Sequence, residues 1–424
     1  MQPRHGGAVR PEPGAPRPRP VADPAPAPSP ARLEPSATAR GRPLERLDVL
    51  DGFRAVAVLW VAAYHYLYFW TPAGPGADLA AYGARYADVP LASVGFLGVH
   101  LFFTVSGFVI LLTLERTPTL GRFILARVIR LWPPLLLIGT ATFVAGHLFG
   151  PPELRATWPE YLLSLVVIPP QYVGRAVGET GWGWLDGAYW SLWVEVKFYL
   201  LIGAAFYLGR GQGIRLWCLY EIVAMAIGVA AHATDSTSLT MLGGFLFQRY
   251  LPCFSFGIAA YLAFTGRWGS EARGLMLLAL GHMLAVTAAD ATGPLVADPW
   301  RFAEFVVGQA AVFTLFFLFA WRRARLRLFA HPLLAAPGRA SYGIYLLHQN
   351  IGLIALAQPW AAVGGVLAPV AVFAAVVGIA MTSYRWIEQP LQARLKRALA
   401  ARRPAPRPPA DGPALAGTDV KDMA

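Results

Sequence analysis

An arginine and a histidine eleven residues apart mark the first long apolar segment, RLDVLDGFRAVAVLWVAAYHY, as Arg54 and His65. On a helix, eleven steps of about 100° return to nearly the same face, three turns and roughly 16 Å along the axis. If that helix crosses a bilayer, His65 sits near mid-depth. An ionisable group there is costly unless it faces a polar interior, and histidine is the side chain that exchanges a proton near neutral pH. Two plainer roles compete: one interhelical hydrogen bond for His65, and an interfacial anchor snorkelling to lipid phosphates for Arg54.

Further along, Glu195 lies among Trp190, Trp193, Phe198 and Tyr199. A carboxylate so surrounded needs a partner. It could orient the His65 imidazole or hold a hydroxyl, whereas Lys197, two residues on, points to a different helix face. Arg127 and Arg130 share one helix face, with Arg122 one turn earlier on a neighbouring face. Ser341, Tyr342, Tyr345, His348 and Gln349 make one late apolar segment unusually polar, so one of its faces must line a cavity or a helix contact. Ser106 and Gly107 read as small residues for close helix packing, His100 as a hydrogen-bonded or proton-carrying side chain, and Arg385 with Glu388 as a local ion pair. No serine-hydrolase elbow and no metal-ligand pattern is legible, and Cys218 and Cys253 are expected near opposite membrane faces, unpaired.

Long apolar helices are what must position these groups. The chain has 424 residues, 56% hydrophobic and 14% charged, which is too much apolar surface for a water-soluble domain of that size. About ten blocks have lengths near the roughly 20 residues a hydrocarbon core requires. They are 53–70, 94–114, 131–149, 189–208, 214–232, 245–264, 274–290, 302–320, 340–357 and 363–384. The reading is an all-α, polytopic membrane helix bundle with a cytoplasmic amino terminus. With that orientation the arginine clusters at 42–46, 116–130, 210–215, 267–273, 322–339 and 394–397 all fall on the cytoplasmic side, and Arg85, Arg155, Arg175, Arg249 and Arg301 outside. The net charge of +12 is then membrane topology, with no call for nucleic acid. Residues 1–43 are a Pro/Arg-rich tail expected to be disordered and lack a signal peptide's apolar core; 44–391 form the membrane domain; 392–424 are a basic, then disordered, tail.

The segment LDGFRAVAVLWVAAYHY resembles the first-helix signature of the acyltransferase 3 family of membrane proteins, in which an Arg followed after ten residues by a His is the hallmark. FLGVHLFFTVSGFVI is similar to that family's second-helix motif, RFILARVIRLWPP to its Arg-rich cytoplasmic loop, and YWSLWVEVKFYLL to its fourth helix. SYGIYLLHQ and YRWIEQP resemble its last two helices, and all six motifs occur in the family's order between Arg46 and Pro390. Two positions depart from the pattern: His100 stands where the second-helix motif has an acid, and Val196 where the fourth has a second acid.

The resemblance implies an enzyme of a bacterial cell membrane that moves an acyl group, commonly acetyl, from cytoplasmic acyl-CoA to a hydroxyl of a carbohydrate or another acceptor, without a metal. It assigns Arg54 and His65 to the catalytic hallmark, Glu195 to the fourth-helix acid, and Arg127 and Arg130 to the cytoplasmic pair. Acyl transfer from a thioester needs a base for the acceptor hydroxyl, and His65 suits that task or that of a covalent acyl relay. Guanidinium forks suit the phosphates of coenzyme A, making Arg127, Arg130 and Arg122 donor-binding candidates, although the positive-inside bias would also place arginines there. Trp190, Tyr342 and His348 are the acceptor-binding candidates. The connection 150–188 holds Trp158, Tyr161, Tyr172, Trp182 and Trp184 with Glu153, Glu160, Glu179 and Asp186, aromatics and acids that suit stacking a sugar ring and bonding its hydroxyls, or merely a membrane interface. A proton-coupled transporter or flippase is the rival, since such proteins also embed His, Glu and Arg, but they tend to show paired broken helices in two halves.

Overall fold

The computed structural model describes residues 48–291 and 298–401, all helices and connections with no strand among them. The tails expected at 1–43 and beyond Arg402 lie outside the described residues. In chain order the helices are α1 Asp48–Tyr64, α2 Leu97–Arg116, α3 Leu120–Phe149, α4 Trp158–Leu165, α5 Pro170–Ala176 and α6 Trp190–Leu208. There follow α7 Gly213–Thr234, α8 Thr237–Phe245, α9 Leu251–Phe264, α10 Ser270–Asp290 and α11 Pro299–Arg322. The last are α12 Pro332–Arg339, α13 Ser341–His348, α14 Asn350–Leu356, α15 Pro359–Val363, α16 Leu367–Ser383 and α17 Gln389–Ala401. Helix α17 runs through position 391, where the membrane domain was expected to end.

Among the described residues, seven helices are long and apolar enough to cross a membrane: α2, α3, α6 with its leading turn, α7, α10, α11, and α16 continued into α17. The chain is a multi-pass membrane protein. The three remaining apolar blocks take other forms. Helix α1 has 17 residues and passes into a wide π-helical turn over His65–Phe69. The block at 245–264 is interrupted after α8, with Phe247 at φ +45°, so that α9 keeps only 14 residues and is buried along most of its length. The block at 340–357 is two short helices, α13 and α14, broken at Gln349 (φ −76°, ψ −79°).

One expected loop is helical. Only 117–119 separate α2 from α3, and Thr119 caps α3 by accepting the Arg122 amide. Arg122, Arg127 and Arg130 therefore ride on the first three turns of a 30-residue helix. At about 1.5 Å per residue such a helix exceeds a hydrocarbon core of about 30 Å, so its arginine-bearing end projects to the interface. Pro133 and Pro134 lie inside α3 and deprive the Ile129 and Arg130 carbonyls of their helical donors.

Helices meet where side chains are small. A Cβ on Gly107 of α2 would lie 2.1 Å from the Phe254 carbonyl oxygen of α9, and one on Gly257 of α9 would lie 2.1 Å from the Thr104 oxygen of α2. Each backbone thus rests against the other, as membrane helices do where glycine permits. In the same way Gly52 of α1 rests against the Phe329 backbone, and Gly338 of α12 against the Asp51 backbone of α1. Gly107→Ala is expected to destabilise the protein by about 1–3 kcal/mol through overpacking. Gly281→Ala, on α10 with nothing within 4 Å of its added methyl, should be neutral or mildly stabilising through helix propensity. Thermal melts of the two variants in one detergent check the contrast.

Candidate active site

Arg54 does not reach outward as an anchor. Its guanidinium donates to Asp51 of the same helix turn at 3.0 Å, and it lines an interior cavity of ≈ 60 Å³ enclosed by α1, α2, α3, α6 and α13. Arg130, Ser106, Ser191, Glu195, Ser341, Tyr342 and Tyr345 supply the rest of its polar lining. Glu195 accepts from the hydroxyls of Ser106 (3.0 Å) and Tyr199. Its partners are these and not His65. Tyr199 is four residues from Glu195 on α6, a spacing that puts both on one face. Tyr342, from α13, donates to the Leu131 carbonyl of α3 at 3.0 Å and so ties the two walls together.

Arg127 sits beside this cavity against the rings of Phe123 and Tyr199, 5.7 and 5.8 Å from their centroids. Its Nε and Nη1 are buried without a hydrogen-bond partner among the described residues. Leaving such donors unsatisfied costs about 1–3 kcal/mol apiece. Arg122 is exposed at the start of α3, outside the cavity lining. Trp190 is outside it too, packed on Tyr250 with centroids 5.0 Å apart. Lys197 turns away from Glu195 and donates to the Phe245 carbonyl at 2.7 Å.

One turn beyond the cavity wall the structure pairs two histidines that are 283 residues apart in the chain. His348, fully buried at the end of α13, has Nδ1 2.6 Å from the Tyr345 carbonyl; a carbonyl only accepts, so Nδ1 carries the proton and Nε2 is bare. That bare nitrogen lies 3.1 Å from His65 Nδ1, which is also 3.0 Å from the Val61 carbonyl. Both neighbours are acceptors, so His65 holds its proton on Nδ1. Its Nε2 is left with a free lone pair. Tyr345 joins the two places: its hydroxyl lies 2.8 Å from Ser191 Oγ, on the cavity, and its carbonyl holds His348.

Periodicity says nothing about which residues on distant helices meet, so the sequence leaves His348 as either an acceptor contact or an interhelical bond and does not name His65 as its partner. Asp51, Ser191 and Tyr199 were missed as well. Other buried polar groups have local explanations. His100 lies 2.5 Å from Gln309 Oε1, a hydrogen-bonded histidine. The ion pair expected between Arg385 and Glu388 is absent among the described residues: Glu388 is buried beside Ser383, and Arg385 lies over the Trp386 ring. Cys218 and Cys253 are both free. An apolar groove of ≈ 1220 Å³ along α3 and α17, lined by Leu125, Trp132, Leu136, Leu391 and Leu395 among others, bears no ionisable side chain.

Comparison with known proteins identifies the family. The exopolysaccharide production protein ExoZ of Rhizobium meliloti (strain 1021) is 26% identical over 320 residues, covering 71% of this chain and 91% of that protein. No solved structure matches the chain at a significant level. Residues 47–385 match the family described as the acyltransferase domain, a span that contains Arg54, His65, Arg127, Arg130, Glu195 and His348. That match decides between transferase and transporter: the chain belongs to the acyltransferase 3 family and is a membrane acyltransferase.

Proposed function

We propose that the chain takes an acetyl group from cytoplasmic acetyl-CoA and esterifies a hydroxyl of a carbohydrate or glycosylated acceptor, with His65 as the general base. The observation that carries this reading is the placement of the Val61 carbonyl and His348 Nε2 against His65 Nδ1, which in the neutral ring leaves Nε2 as the basic nitrogen. The acceptor hydroxyl gives its proton to that nitrogen while its oxygen attacks the thioester carbon. The oxyanion that develops lies beside the new imidazolium, whose Nδ1–H stays on the Val61 carbonyl and His348 Nε2. Collapse breaks the C–S bond, the imidazolium returns the proton to the thiolate, and an ester and free coenzyme A leave.

The donor enters by the arginine end. Arg54 stands roughly 16 Å from His65 along the helix, too far to touch the reacting carbonyl, so its place is with Arg130 and Arg127 around the nucleotide phosphates. The unpaired donors of Arg127 support this assignment. The pantetheine arm then runs past Ser341 and Tyr345 towards His65. At ≈ 60 Å³ the cavity is narrower than that arm, so donor binding must widen it. The arginine clusters at alternate connections support a cytoplasmic amino terminus and donor entry from that side. A carbohydrate acceptor is favoured by the relative's role in exopolysaccharide production.

Membranes containing the chain, incubated with acetyl-CoA labelled in its acetyl group, are expected to pass label into the glycan fraction as an alkali-labile ester. Label retained entirely on coenzyme A, or recovered only as an alkali-stable amide, contradicts the proposal.

A further inference from the structure

The histidine pair depends on a helix that breaks inside the protein. Where α13 stops and α14 begins, at Gln349, the backbone leaves amide and carbonyl groups without helical partners, in a place buried from water. One side chain answers from another part of the chain. Asp186, fully buried, accepts the Asn350 amide on Oδ2 at 2.9 Å and the Ala188 amide on Oδ1 at 2.9 Å. A single carboxyl group thereby caps the start of α14 and the 3-10 turn Gly187–Tyr189 that leads into α6.

The surrounding bonds tie the same two strands of backbone together. Asn350 Nδ2 donates to the Leu185 carbonyl at 2.8 Å, and the Tyr345 hydroxyl donates to the Ala188 carbonyl at 2.9 Å. From α1's end, the Tyr66 hydroxyl donates to the His348 carbonyl at 2.6 Å. The Gln349 side chain packs over Gly187, where a Cβ would lie 2.6 Å from its Nε2. His348 is therefore the last residue before a break whose geometry is held by Asp186, and α6, which carries Ser191 and Glu195, hangs from the same carboxylate.

We infer that Asp186 is a positioning residue: by clamping the α13–α14 break to the start of α6, it sets His348 against His65 and holds the His65 proton on Nδ1. This rests on the reading of His65 as the base. Asp186 touches no reacting atom, so its removal alters turnover through His348 and leaves donor binding alone.

Asp186→Asn keeps the shape but turns an amide NH₂ towards one of the two backbone N–H donors, so one cap is lost. In membranes supplied with labelled acetyl-CoA, kcat is expected to fall about 10–100-fold, the usual cost of losing a group that orients a site residue, with KM for acetyl-CoA within about twofold of wild type. Asn350→Ala removes the bond to the Leu185 carbonyl that ties the same break to the segment leading into α6, without changing charge, and should show the same split between kcat and KM; it serves equally if Asp186→Asn does not reach the membrane. The deciding comparison is the double variant. On a His348→Ala background Asp186→Asn should cost no more than about twofold further, because the residue it positions is already gone. A kcat for Asp186→Asn equal to wild type, or the same fold loss with and without His348, overturns the inference. His65→Ala measured alongside separates the two levels: full transfer by His65→Ala defeats the base assignment itself, whereas an inactive His65→Ala beside a fully active Asp186→Asn defeats the clamp alone.

Discussion

Replacing His65 with alanine is expected to lower acetyl transfer from acetyl-CoA by about 10²–10⁴-fold, the range a positioned general base contributes. The loss should fall on kcat, because the phosphates are held three turns away by other side chains, and KM for acetyl-CoA should stay within a few-fold of wild type. Asparagine at this position is the informative second variant. Its amide can imitate the Nδ1–H that reaches the Val61 carbonyl, yet it has no basic nitrogen where Nε2 stood. His65→Asn should therefore fold as the wild type does and be as inactive as His65→Ala. Label transfer to the glycan fraction, with expression and melting temperature measured on the same membranes, checks both variants. An asparagine variant with appreciable turnover would mean that the ring serves only as an interhelical hydrogen bond.

The second large effect is expected at the other end of the cavity. Hydrogen bonds to charged groups contribute about 1.5–3 kcal/mol each, so removing two phosphate-binding guanidinium groups in Arg127→Ala with Arg130→Ala should raise KM for acetyl-CoA by about 10²-fold or more. Turnover at saturation should change less than tenfold, because neither side chain reaches the thioester. S-acetyl-pantetheine, which lacks the nucleotide and its phosphates, provides the control. The wild type should lose its advantage over the double variant with that donor. If the double variant is equally impaired with acetyl-CoA and with S-acetyl-pantetheine, the arginines support the fold or the topology and do not bind phosphate.

These expectations differ in how far the sequence alone supports them. The spacing of Arg54 and His65, and the placement of Arg127 and Arg130 on one helix face, follow from helix geometry; α3 carries both arginines, whereas α1 carries Arg54 and ends at Tyr64, so that His65 opens the π-helical turn. Hydropathy identifies the apolar blocks but cannot see breaks within them. It reads residues 340–357 as one span, although Gln349 and Asn350 form a break whose backbone groups are satisfied by Asp186, 164 residues away from Asn350. It also assigns a full span to 245–264, where a left-handed Phe247 leaves α9 short. Conversely, RFILARVIRLWPP resembles a cytoplasmic loop leading into the block at 131–149, yet α3 already begins at Leu120 and runs through both Pro133 and Pro134.

Pairing across helices was the least legible layer. Glu195 was expected to need a partner, and the choice between His65 and others turns on how α6 rotates against α2 and α1, which local pattern does not encode. Its partner Tyr199 is four residues away and was within reach of helix periodicity; its partner Ser106 was not. The same holds for the two histidines. Each is polar enough to stand out in its own apolar segment, but their 3.1 Å approach depends on the π-helical turn that begins at His65 and on the break that follows His348. Both are irregularities that helix propensity does not report.

The arrangement of hydrogen-bond acceptors around His65 makes a claim about one proton that can be read without any assay of transfer. Solid-state NMR on the protein in bilayers, with histidine labelled by ¹⁵N and His65 assigned by loss of its signals in His65→Asn, reports the protonation of each ring nitrogen. The account predicts a neutral His65 with its proton on Nδ1 and a bare Nε2, the tautomer imposed by Val61 and His348. A resting His65 protonated on Nε2, or on both nitrogens, would contradict it.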